Sequence, residues 1–261
     1  MTDEAPPRLS AKPPDGGAVI EGRVSLAIGG QPLAIDVEAP AGPTTLESVL
    51  PVFHGLANLL VGRAEARVAA AGRSVSCRKG CGACCRQAVA VAEPEARALA
   101  ALVEAMPEPR RSRVRERFVA AERRLDASGL AARMAALDSA DDAELARAGL
   151  DYFRLGMACP FLEDEACSIH LQRPASCREY LVTSPPQACV APSPEHVEKV
   201  ELEGKVSSSL YGLAKAATPG GWVLLVQALC FARAHPDPAP LRPGPSWIEA
   251  GFRRLAGGPA S

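Results

Sequence analysis

The sequence predicts a mainly α-helical protein with a small N-terminal β-hairpin, in which irregular cysteine-rich, metal-binding loops are set among the helices. Three observations lead there. Helix-spaced apolar residues and good helix formers fill most of the chain after residue 44. Period-two alternation is confined to one stretch before it. Eight of the nine cysteines fall into two groups, 77–85 and 159–189, whose spacing follows neither period.

Taken in chain order, residues 1–18 are rich in Pro, Gly and charge, with too little apolar surface to offset the entropy of ordering, and are expected to form a disordered leader. A second region, 19–76, holds a hairpin and a helix. Val24, Leu26, Ile28 and then Leu33, Ile35, Val37 alternate on either side of a Gly-Gly turn, which reads as a β-hairpin with one buried face. Thr44 and Glu47 form a capping-box signature before an apolar run that continues at helical spacing through Phe53, Leu56, Leu60, Ala64 and Val68, with Pro51 expected to kink or restart it.

The third region, 77–189, is the candidate metal-binding domain, interrupted by a helical insert at about 93–155. Val89 and Val91 suggest a short strand, Pro94 suits the first turn of a helix to about Met106, and Pro109 opens a charged helix to about Ser128. Further helices are expected over 129–137 and 140–155. In the last region, 190–261, Ser193 with Pro194 is expected to start a helix through 217. Residues 222–234 form another, and Ser246 with Glu249 caps a final one near Leu255, all packing on the same domain.

Composition removes several function classes. The formal net charge is -1, so there is no basic excess to bind a nucleic acid or an anionic membrane surface. The start of the chain lacks the apolar segment of a signal peptide, and the longest apolar run, 222–232, is about half the length of a membrane span. A cytoplasmic protein is expected, and clustered cysteines there are more often metal ligands or catalytic groups than disulfides.

The two quartets are Cys77, Cys81, Cys84 and Cys85, then Cys159, Cys167, Cys177 and Cys189; Cys230 stands alone in an apolar stretch and reads as a buried core thiol. On a straight helix Cys77 and Cys85 would lie about 12 Å apart along the axis. Four thiolates on one zinc lie within about 4 Å of each other, so the chain around them must curl. Gly80 and Gly82 supply that freedom. Adjacent Cys84 and Cys85 fit one centre only if the backbone bends there; otherwise one of them serves a second metal or stays free. Arg78, Lys79, Arg86, Arg173 and Arg178 flank the quartets and would offset the charge of ionised sulfurs, or are simply solvated loop residues. Three readings compete: a metal or iron-sulfur site, a dithiol exchange site at the C-x-x-C of residues 81–84, and a disulfide framework. The second lacks a βαβ context and the third lacks a secretory signal. Among the histidines, His170 has plausible ligand spacing after Cys167, but a packing or hydrogen-bonding role is expected; His54, His196 and His235 have no partners at ligand spacing.

The first quartet, with Cys159-Pro160-Phe161-Leu162, then Cys167, Ile169 and His170, then Arg173-Pro174, Cys177-Arg178 and Tyr180, resembles the CxxCxxCC family of zinc- or iron-chelating domains, also called YkgJ-like cysteine cluster proteins. The resemblance covers roughly residues 77–189 and implies chelation of a metal ion or cluster, for which all eight cysteines of the two quartets are the expected ligands. Flagellin lysine methylases, which are associated with an iron-sulfur cluster, carry a similar cysteine set, but residues 1–76 and 190–261 show none of their motifs. No G-x-G-x-x-G loop is present, and no catalytic residue is assigned. The expected cofactor is an iron-sulfur cluster, with zinc as the alternative, because the donors are all sulfur and outnumber the four that one zinc takes. The alternatives are an enzyme that uses the cluster, by a methylation-like or thiol-redox reaction, and a zinc-stabilised interaction module with a protein partner.

Overall fold

The computed structural model describes residues 5–13, 15–139, 142–193, 195–218, 220–238 and 240–257. About 51% of the chain is helical, and the strands form only small sheets.

Strand β1 (Arg8–Ser10) lies within the segment expected to be disordered, of which residues 1–4 and 14 are outside the described residues. It pairs in parallel with the second hairpin strand, and Leu9 and Ala11 are buried. Those two apolar side chains, too few to show as a pattern, are enough once a neighbouring strand offers its edge. The hairpin itself is as expected but longer. Strands β2 (Val19–Ile28) and β3 (Gln31–Pro40) are antiparallel, with Leu26 opposite Leu33 and Val24 opposite Ile35. Gly29 and Gly30 have φ of 57° and 76°, the left-handed region that a tight two-residue hairpin turn requires.

A two-residue strand β4 (Pro43–Thr44) leads into helix α1 (Leu46–Ala70). Its cap is Thr45, one residue after the expected Thr44, and the Thr45 hydroxyl accepts from the Ser48 amide at 3.3 Å. Glu47 turns away from the cap to pair with Arg97 at 2.5 Å. The helix runs through Pro51 without interruption, because Val49, Leu50, Val52 and Phe53 are all buried and packing outweighs the lost backbone bond.

Strand β5 (Ala90–Ala92) follows the first cysteine loop and precedes helices α2 (Glu93–Glu104), α3 (Arg110–Ala127), α4 (Leu130–Ala135) and α5 (Asp142–Arg154). These match the four expected helices apart from residues 140–141, which lie outside the described residues. The second cysteine segment contains the hairpin β6 (Leu162–Glu163) and β7 (Ala166–Cys167), then the short helices α6 (Ala175–Glu179) and α7 (Pro186–Val190).

Two C-terminal expectations need correction. The helix expected over 193–217 is only α8 (Val206–Ala217); Pro194 is outside the described residues, and 195–205 is irregular. That stretch lacks a helical stripe and instead bonds to the second cysteine segment, with Val200 N donating to Leu181 O and Thr183 N to Glu198 O. The helix expected over 222–234 opens as strand β8 (Trp222–Leu224), paired with β5, passes through a 3-10 turn at Leu225–Gln227 and is α-helical in α9 (Ala228–Ala234). Its aromatic and β-branched start suits a strand once β5 supplies the partner. Strand β9 (Arg242–Pro243) pairs with β4, and α10 (Gly244–Leu255) begins two residues before the expected Ser246 cap.

Three apolar clusters organise these elements. The largest joins the buried hairpin face to α1, α8 and α10, with Trp247, Phe53 and Leu210 fully buried. A second joins α2 and α3 to Phe161, Ile169 and Leu225. A third lies among α3, α4 and α5 and reaches Met157 and Val226. The second cysteine segment contributes to both of the first two, with Ala175 in the first and Phe161 and Ile169 in the second. No helix among the described residues is long and apolar enough to cross a membrane.

Candidate metal centre

The first cysteine loop is fixed at both ends by the second segment. Ser76 donates its amide to Val182 O at 2.9 Å and its hydroxyl to Thr183 O at 3.2 Å. Past Gly80, with φ 87°, the chain closes into a 3-10 turn over Ala83–Arg86 that carries Cys84 and Cys85. Gly82 is needed for a close approach, since a Cβ there would stand 2.5 Å from Glu165 Oε2 and 2.8 Å from Leu162 Cδ1. Arg86 holds the two loops together, donating to both Glu165 oxygens at 3.0 and 2.6 Å and to Gly82 O at 2.9 Å. The Cys159 amide donates to Cys85 O at 2.7 Å. The curl expected around the first quartet is therefore present, and it lies against the second quartet across the helical insert.

The second segment is held by Arg178, expected to offset the charge of ionised sulfurs or to be solvated, and by Glu95, which sequence reasoning did not single out. Arg178 is 5% exposed and spends its guanidinium on neutral oxygens: Arg173 O at 2.8 Å, Asn58 Oδ1 at 2.9 Å and Leu171 O at 2.6 Å. Glu95, at 1% exposure, accepts from the Ala92 and Ala175 amides at 3.1 and 2.8 Å and hydrogen-bonds His54 Nε2 at 2.9 Å. The Glu at the third position of α2 is a visible capping signature. Its reach to the start of α6, 80 residues away, has no local signal.

All eight cysteines of the two quartets line one cavity of about 830 Å³. Its wall also includes Arg78, Lys79, Arg173, Arg178 and, at its edge, the exposed His170. Cys77 is exposed, Cys189 is buried, the other six are half-buried, and every cysteine is a free thiol. Cys230 lies outside the cavity, half-buried rather than buried, with its sulfur 3.7 Å from an Arg233 nitrogen. His54 is a satisfied core residue, His196 bonds Ser193 at 2.9 Å, and His235 stacks on Phe231.

The electrostatics of the cavity depend on which sulfur is considered. Cys84 is drawn down to about 7, chiefly by a hydrogen bond from the Cys85 thiol, with help from a backbone amide and Arg173. The same bond pushes Cys85 up. Burial raises Cys77, Cys167, Cys177 and Cys189 and takes Cys159 up to about 12, with neighbouring thiolates adding to each. Most of these thiols hold their protons at neutral pH, and many negative sulfurs can coexist there only around a cation.

The donor set fits a thiophilic metal or iron-sulfur cluster: eight sulfurs face one space, and arginine and lysine stand at its wall. As they stand, however, no three or more His, Cys, Asp or Glu side chains among the described residues are placed to hold an ion. The sulfurs surround the space without closing on a point. Binding therefore requires them to draw inward and lose their protons. Metal uptake by the metal-free protein is expected to release several protons at pH 7, and the affinity is expected to fall as pH is lowered, most steeply as Cys84 protonates below about 7. Calorimetry of zinc binding in buffers of different ionisation enthalpy checks this; uptake without proton release would show that the sulfurs bind while already ionised.

Residues 76–201 match the family model CxxCxxCC, described as "Putative zinc- or iron-chelating domain". No curated protein matches the chain, and no solved structure does.

Proposed function

We propose that this protein, whose residues 76–201 match the CxxCxxCC model, is a metal-binding cysteine cluster protein that holds an iron-sulfur cluster, or alternatively zinc, through two converging cysteine-rich loops. The single observation that carries the reading is that Cys77, Cys81, Cys84, Cys85, Cys159, Cys167, Cys177 and Cys189 all face one cavity although more than 70 residues separate the two groups. The chelating unit spans 77–189, with α2–α5 as its insert.

Iron-sulfur is favoured over zinc because the donors are all sulfur and exceed the four thiolates that one structural zinc takes. The bound group would supply either electron storage, as a cluster, or folding free energy, as zinc. The chain's own part is to seat the thiols: Ser76 and Arg86 tie the first loop to the second, and Arg178 and Glu95 hold the start of α6. The cavity volume supports a second reading, an enzyme that uses the bound group, because about 830 Å³ lies within the usual range of small-molecule pockets, about 300–1,000 Å³.

Anaerobic purification, followed by iron, zinc and acid-labile sulfide analysis of one sample, tests the proposal. Brown protein with matching iron and sulfide, bleached by a reductant, is the expected result. Colourless protein with stoichiometric zinc would select the alternative, and protein that retains and takes up neither would overturn the metal-binding reading.

A further inference from the structure

The contacts around the eight cysteines do not follow the two quartets of the sequence. Cys159, Cys167 and Cys177 pack against a single apolar wall, the cluster that contains Phe161, Ile169 and Leu225. Cys85 comes from the first loop but is tied to this group by the 2.7 Å bond from the Cys159 amide to its carbonyl. Cys189 comes from the second segment but lies on α7, which packs on the 83–86 turn. Cys77 is brought to the same side, because Ser76 is bonded to Val182 and Thr183 just ahead of α7.

The remaining four sulfurs of the cavity, Cys77, Cys81, Cys84 and Cys189, make up the other group, and Cys84 shares its turn with Cys85. Simple counting then matters: a tetrahedral zinc takes four thiolates, and so does an iron-sulfur cluster. Eight sulfurs around one cavity make two complete sets and leave none over.

Resting on the metal-binding reading above, we propose that the cavity holds two centres that share its interior. One is held by Cys77, Cys81, Cys84 and Cys189, the other by Cys85, Cys159, Cys167 and Cys177. The two loops exchange one ligand each, so neither centre forms from one loop alone. The adjacent pair Cys84-Cys85 sends one sulfur to each centre and is the boundary between them. This also accounts for a cavity far larger than one four-coordinate ion needs.

Cobalt(II) titration of metal-free protein under anaerobic conditions tests the proposal, read from the absorption bands of cobalt on four thiolates. The full-length protein is expected to saturate at two equivalents. Cys189→Ser and Cys177→Ser are each expected to halve the four-thiolate signal, and the double variant to abolish it. Saturation of the unsubstituted protein at one equivalent would overturn the two-centre proposal while leaving the metal-binding reading intact. Loss of the whole signal in a folded single variant would also overturn it. Failure of the unsubstituted protein to bind cobalt at all would overturn both. If either single variant fails to fold, the endpoint for the unsubstituted protein still decides the number of centres.

Discussion

Removing the metal is expected to open residues 76–89 and 157–190 to hydrogen exchange while β2, β3, α1, α8 and α10 stay protected. The two regions differ in what holds them. The hairpin and the three helices share a continuous apolar cluster with Ile35, Phe53, Leu56, Leu210 and Trp247 at its centre, which needs no ligand. The cysteine segments contain a few buried apolar residues, such as Phe161, Ile169 and Val182, and otherwise only two-residue strands, short helices and turns. Such elements are not stable in isolation. Structural zinc contributes roughly 10–16 kcal/mol when it folds short peptides, so a metal centre can order these segments. At a metal concentration 100 times the dissociation constant, linkage alone gives about 2.7 kcal/mol, about a hundredfold in exchange rate. Exchange read by mass spectrometry, with and without metal, is expected to show at least that factor in the two segments and little change elsewhere. Equal acceleration across the chain would mean that the metal supports the whole fold, and no change would mean that the loops hold themselves.

How much of this was legible in the sequence depends on the range of the interactions involved. The hairpin was, because Val24 to Val37 carries its own period and its own turn. So were α2, with Pro94 in its first turn, and α3, which begins just after Pro109. The convergence of the eight cysteines was expected from their grouping and from the family resemblance. What could not be read locally was decided by distant partners. Strand β1 exists because β3 offers an edge, and residues 222–224 form a strand because β5 lies beside them. Residues 195–205 give up a helix to bond the segment after α6. The proposed crossing of Cys85 and Cys189 between the two cysteine groups is of the same kind. Order along the chain suggests one grouping of sulfurs, and the proposed one rests instead on contacts of Ser76, α7 and the Cys159 amide with distant segments.

Glu95→Ala is expected to be among the most damaging single substitutions outside the cysteines. Its carboxylate is 1% exposed and meets three groups from three helices: His54 of α1, the Ala92 amide at the start of α2 and the Ala175 amide at the start of α6. Alanine would leave both buried amides and the imidazole without their partner and would open a void. Each buried donor left without its acceptor costs about 1–3 kcal/mol, and each kcal/mol lowers the melting temperature of a chain of this size by roughly 2–4 °C. The damage is also directional. Ala175 is the first residue of α6, and Cys177 and Arg178 follow within its single turn. Loosening that end of α6 frees the Cys177 sulfur and the guanidinium that ties the helix to Asn58. Glu95→Gln keeps the volume and one good acceptor, so it is expected to cost less stability but still to weaken metal binding, because its NH2 group faces donors where the carboxylate oxygen accepted. Melting temperature and metal content of both variants should be measured together. A Gln variant with a near-normal melting temperature and reduced metal content would identify Glu95 as a residue that positions the centre. If metal content falls only in proportion to lost stability in both variants, Glu95 serves the core alone.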